Sequence, residues 1–74
     1  MKVTVKLFAT FRIGRFAELS RTYPPGTRIA AIIEELRLPM TQIGMILCNC
    51  RHVEPDLELQ DMDTLAIFPL VGGG

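Results

Sequence analysis

The stretch that constrains this chain most is its last one. Leu65-Ala66-Ile67-Phe68-Pro69-Leu70-Val71 is apolar at every position and runs straight into Gly72-Gly73-Gly74. A strand that is apolar on both sides belongs at the centre of a sheet, since an edge or half-wet strand alternates with polar residues. The chain has 74 residues. A domain of that size buries only about 60% of its unfolded surface, which leaves room for one sheet and one covering layer. Glycine carries no Cβ and lets other groups come close to its backbone. Three of them on the end of a rigid strand make a thin thread ending in a bare carboxylate, able to enter an active site that a side chain would block. An ordinary frayed end is the other reading of the same residues.

The rest of the chain supplies the sheet and the layer. Lys2-Val3-Thr4-Val5-Lys6-Leu7 alternates, which predicts a strand with Val3, Val5 and Leu7 inward and Thr4, Lys6 and Phe8 on the other face. Residues 10–16 read as a loop, and Ala17 to Tyr23 as a second strand with Leu19 in the core. Pro24-Pro25-Gly26 breaks the chain and offers Thr27 as a helix N-cap. Ile29, Ile32, Ile33 and Leu36 then recur at helical spacing, with Glu34 and Glu35 off the stripe and Pro39 ending the helix near Leu36 or Arg37. Met45 to Cys48 is a short third strand, Asn49-Cys50 a turn, and Arg51 to Val53 a short return. Pro55 to Leu59 is irregular with Leu57 and Leu59 tucked in. Asp61-Met62-Asp63 is a tight turn before the final strand, Thr64 to Leu70.

One helix cannot cover both faces of a sheet. The expectation is therefore α+β: a single domain over residues 1–74, a mixed sheet with one main helix across one face, and a flexible glycine tail at 72–74. The first and last strands pair in parallel at the sheet centre, because the long connection permits a crossover. That is the β-grasp, or ubiquitin-like, arrangement.

Composition narrows the function. Apolar residues make up 49% and charged residues 22%, as in a globular protein. No apolar run approaches the roughly 20 residues that cross a bilayer. Met1-Lys2 leads directly into a strand pattern, and Cys48 and Cys50 lie too close in sequence to staple the fold, so a cytoplasmic, membrane-free protein is expected. Net charge is zero, yet residues 1–37 carry seven Lys/Arg against three Asp/Glu, a net +4, and residues 38–74 carry one Arg against five Asp/Glu, a net −4. No basic run is dense enough for nucleic acid. A protein partner met through a polarised surface fits better.

At this point the chain resembles a known family. Val53-Glu54-Pro55-Asp56, followed by Leu57, Leu59, Asp61, Asp63 and Ala66-Ile67-Phe68-Pro69-Leu70-Val71-Gly72-Gly73-Gly74, is similar to the MoaD/ThiS sulfur carriers, most of all to small subunits of molybdopterin synthase. Val5-Lys6-Leu7-Phe8-Ala9 is similar to that family's opening strand. The chain departs from the family in having Asn49-Cys50 where Asn-Gly is common, and three terminal glycines where two are common. The resemblance implies a carrier and co-substrate, not an enzyme by itself, with no bound cofactor. A ubiquitin-activating-type adenylating enzyme would use ATP to activate the Gly74 carboxylate. A sulfur donor would displace AMP and leave a thiocarboxylate, and a molybdopterin synthase large subunit would take the sulfur. Gly72 and Gly73 would thread the tail. The free protein would be a monomer. Service to the thiamin thiazole, conjugation to lysines, and an inert interaction module remain open alternatives.

The residues themselves add further candidates. If Leu65, Ile67 and Pro69 point inward, Phe8, Phe68 and Leu70, with Val71, form an apolar partner-binding cluster near the tail. Cys48, Cys50 and His52 would share a face on a straight strand and suggest a metal or persulfide site, but a turn at Asn49-Cys50 breaks that geometry, and no metal site is expected. Cys48 then reads as a small core residue and His52 as a surface one. Arg12 and Arg15 could meet an acidic partner or be simply solvated. Met40, Met45 and Met62 read as gap-fillers.

Overall fold

The computed structural model describes residues 1–70. Five strands and one helix follow the order β1 (Lys2–Leu7), β2 (Glu18–Thr22), α1 (Ile29–Glu35), β3 (Ile43–Cys48), β4 (Arg51–His52) and β5 (Thr64–Pro69), with short 3-10 turns at Ala9–Arg12 and Met40–Gln42. The sheet order is β2-β1-β5-β3-β4. β1 and β5 run parallel at its centre, Thr4 beside Thr64 and Leu7 beside Ile67. β2 flanks β1 and β3 flanks β5, both antiparallel. This is the expected mixed β-grasp sheet.

Alternation decides what each strand buries. Val3, Val5, Leu7, Ile46, Cys48, Leu65 and Ile67 meet Ile29, Ile32 and Ile33 of the helix, and Phe11, Tyr23, Leu38 and Leu59 close the rim. Five of these strand residues and two of the helix isoleucines have no exposed surface at all. Each full aliphatic burial contributes roughly 1.5–3 kcal/mol before chain entropy is subtracted.

The helix ends differ from expectation at one side only. The N-cap is Arg28, without a side-chain cap bond. The Thr27 hydroxyl donates instead to the Pro24 carbonyl at 2.7 Å, closing its own turn. The first helical N–H groups, which lack intrahelical acceptors, donate to main-chain carbonyls of the later loop: Ile29 to Leu57 at 3.1 Å and Ala30 to Pro55 at 2.8 Å. At the other end Arg37 has φ 57°. Leu38 N–H bonds the Ile33 carbonyl and Arg37 N–H that of Glu34, a Schellman ending built on arginine where glycine is usual.

Four core assignments change. Leu19 lies opposite Val5 but on the edge strand, and keeps 39% of its surface exposed. Tyr23 is the buried residue at the end of that strand, its hydroxyl donating to Glu35 at 2.7 Å. Leu57 lends its carbonyl to the helix N-terminus, which turns its side chain out, whereas Leu59 is buried. Met40 and Met62 are exposed and fill no gap, Met62 sitting at φ 70° in the tight turn before β5. The 10–16 loop begins with a 3-10 turn that buries Phe11.

Candidate functional site at the end of β5

The expected reacting residue Gly74, its threading neighbours Gly72 and Gly73, and Val71 lie outside the described residues. The structure does define the point from which they depart. Leu70, half exposed, donates its N–H to the Gln42 carbonyl at 2.8 Å. Beside it the β3–β5 ladder shifts register between Ile43 and Met45. The irregular residue is Gly44. A Cβ there would lie 2.8 Å from the Pro69 carbonyl oxygen and 3.0 Å from the Leu70 Cα. Two backbones thus touch at the root of the tail, a contact that only glycine permits. Neither Gln42 nor Gly44 was among the expected site residues. The signal was present, since an isolated glycine inside a strand pattern marks a bulge or close approach.

On the sheet face away from the helix, Phe8 and Phe68 stack with ring centroids 4.1 Å apart and planes 10° from parallel. Their neighbours in sequence, Leu7 and Ile67, point into the core, so strand alternation places both rings on the open face as expected. Arg12 adds a third layer. Its guanidinium carbon is 5.4 Å from the Phe8 ring centre, and its Nε donates to the Leu7 carbonyl at 2.7 Å. Lys6, Leu47, Ala66 and Cys50 continue this face as a groove alongside the stack. Arg15 also bonds backbone carbonyls, at Leu36, Arg37 and Phe11, tying the β1–β2 loop to the helix C-terminus.

The profile of the ThiS family matches residues 5–74. The chain belongs to the ThiS family. The fold of this ThiS-family chain recurs in solved structures. A Pyrococcus furiosus protein described as molybdopterin converting factor, subunit 1, is 33% identical over 96% of this chain and 99% of its own, with a TM-score of 0.76. SAMP1 from Haloferax volcanii is 20% identical over the whole of both chains, TM-score 0.76. Subunit 1 in the Helicobacter pylori complex of molybdopterin-converting factor subunits 1 and 2 is 22% identical over the whole of both chains, TM-score 0.69. The last two likenesses are of fold. No curated protein matches the sequence significantly.

The ThiS-family chain separates its two cysteines. Asn49 and Cys50 form a two-residue hairpin with φ of 50° and 67°, between Cys48 and its partner Arg51. Positive φ at both central residues is the requirement of a type I′ turn. Cys48 is buried on the helix side, while Cys50 and His52 are exposed. Burial first, then the Asp63 charge and a hydrogen bond to it, push the Cys48 thiol up to about 11. Cys48 is therefore a neutral core thiol at pH 7. Among the described residues, no three His, Cys, Asp or Glu side chains come together as a metal site. No helix among them is long and apolar enough to cross a membrane.

The same turn is fastened to β5. Asn49 donates to Asp63 at 2.8 Å and accepts from the Thr64 N–H at 2.9 Å, and the Gln60 N–H donates to the other Asp63 oxygen at 2.8 Å. Burial raises the Asp63 carboxyl, but the hydrogen bonds from Gln60, Asn49 and Cys48 outweigh it and hold the group below its ordinary value.

Proposed function

We propose that this chain is a sulfur carrier for molybdopterin or tungstopterin synthesis. Its Gly74 carboxylate attacks the α-phosphorus of ATP on a ubiquitin-activating-type partner, giving an acyl adenylate and pyrophosphate. Activation is needed because a carboxylate repels nucleophiles and has no good leaving group. Sulfur at the sulfide level then attacks the acyl carbon, AMP leaves, and a C-terminal thiocarboxylate remains. That sulfur passes to a pterin precursor on a large-subunit partner. The reading rests on one observation above all: a strand fixed at the sheet centre is gripped by Gln42 and Gly44 at Leu70, four residues before Gly74 and two before the run of glycines begins. The 33% identity to a subunit 1 of molybdopterin converting factor favours the molybdopterin branch. The half-buried Phe8–Phe68 stack, with exposed Leu70, supplies the partner-binding face, since apolar clusters open to solvent mark such surfaces.

The test is intact-mass spectrometry after incubation with ATP, an activating enzyme of this type and a sulfur source. Replacement of one oxygen by sulfur is expected for the wild type. It should fall sharply both for a chain lacking Gly74 and for one with an alanine added after it, because a displacement of about 1 Å can cost a hundredfold in rate. Thiolation of the extended chain at the wild-type rate would refute the thread mechanism. Conjugates to other proteins would make the chain a modifier instead.

A further inference from the structure

We infer that Arg12 is a preformed clamp for a carboxylate side chain on the protein that receives the tail. This rests on the carrier reading above and adds to it the chemistry of the partner's surface. Arginine on a loop ordinarily samples many rotamers and loses that freedom when fixed. Here the side chain is held before any partner arrives. Nε is committed to the Leu7 carbonyl, and the guanidinium plane lies over Phe8, which itself rests on Phe68. Among the described residues the ion pairs are Lys6–Glu18, Arg21–Glu35 and Arg28–Glu58. Arg12 is in none of them, although it is exposed and cationic.

Its position gives the clamp a use. β1 and β5 are parallel, so the turn that follows β1 stands beside the end of β5. A protein closing over the Phe8–Phe68 stack to reach the tail must cover Arg12 and remove water from it. Desolvating an unmatched guanidinium is costly, whereas a carboxylate fits its planar donor edge with charge-assisted bonds. The N-terminal half's surplus of +4 points to the same complement. The surface that fits is apolar and carries an Asp or Glu opposite Arg12.

Isothermal titration of the full chain against the adenylating enzyme and against the large subunit, at low and high salt, tests this. Arg12→Gln is expected to raise Kd roughly tenfold and to flatten its salt dependence with at least one partner. Arg12→Lys keeps a cation, so the salt dependence is expected to survive while the affinity is recovered only in part. The lysine variant also keeps the test valid if the glutamine variant is unstable. If both variants bind like wild type while Phe68→Ala loses binding, the clamp is refuted and the docking face stands. If the lysine variant alone matches wild type in affinity, the fork geometry is refuted. If the wild type binds neither protein and gains no sulfur, the carrier reading fails together with the clamp.

Discussion

Replacing Gly44 by alanine tests whether the root of the tail is set by backbone contact. The added Cβ would meet the Pro69 carbonyl oxygen at 2.8 Å, the Leu70 Cα at 3.0 Å and the Leu70 nitrogen at 3.1 Å. All three are backbone atoms, so no flexible side chain can swing aside. An ordinary carbon contact is about 3.5–4.0 Å, so β3 and β5 must part by roughly half an ångström at this point. Overpacking of this kind costs typically 1–3 kcal/mol. The neighbouring Leu70 N–H to Gln42 bond, worth about 1 kcal/mol, is strained by the same movement. In a domain this small, each 1 kcal/mol lowers Tm by roughly 4–8 °C.

Gly26→Ala is the control. Gly26 has φ 89° and nothing within 4 Å of a built Cβ. It follows Tyr23, which bonds Met1 at the opposite end of the sheet from Leu7. Alanine there is destabilised through backbone strain of about 1–2 kcal/mol without touching Leu70. Thermal unfolding is expected to fall for both variants. ATP-dependent sulfur loading, read by intact mass well below either Tm, is expected to fall only for Gly44→Ala. An unchanged Tm for Gly44→Ala would refute the close contact. A lowered Tm with wild-type loading would refute the idea that strand contact sets the tail's departure point.

Two further outcomes follow from the hairpin and its fastening. Cys50→Gly is expected to be neutral or to raise Tm, because glycine relieves a φ of 67° while adding only about 0.4–1 kcal/mol of unfolded-state entropy. A clear loss of stability would contradict the turn, and loss of sulfur transfer with stability intact would assign the exposed thiol a role. Because Asp63 is held below its ordinary value in the fold, its contribution is complete above the unfolded carboxyl value near 3.9 and disappears as pH falls through the folded one. Tm followed downward from about pH 5 is expected to drop less steeply for Asp63→Asn than for wild type, and an equal acid slope would remove Asp63 from the acid transition.

The sequence showed most where a single period or a single residue type decides the outcome. The helical stripe from Ile29, the alternation of β1 and the doubly apolar β5 placed the sheet centre and the open-face aromatics. The Asn49-Cys50 turn was legible from Asn49, which tolerates positive φ, and not from Cys50, which does not favour it. It failed where two segments distant in sequence trade hydrogen bonds. Thr27 looks like a cap locally, but carbonyls of Pro55 and Leu57 serve the helix instead. Leu19 alternates correctly and is still exposed, because alternation gives the face and not the reach of the covering layer. Arg12 reads as a loop residue that either meets an acidic partner or is simply solvated, and nothing in the sequence shows the Leu7 carbonyl and the Phe8 ring that hold it.

Reach connects the docking face to the chemistry. Four residues separate Leu70 from the end of Gly74, and fully extended they span at most about 13–14 Å. If Gly74 is the reacting residue, the partner's reaction centre lies within that radius of Leu70. The helix layer stands about 10 Å from the sheet, and its outer surface lies about 5 Å further. A partner seated on the outer face of α1 would consume the whole extension of the tail in rounding the sheet and have none left to enter a cleft. A partner on the open face starts at the level of Phe68, two residues before Leu70, and can use the full length of the thread. The stacked rings and the pinned Arg12 therefore lie on the side from which a short tail can be both held and inserted.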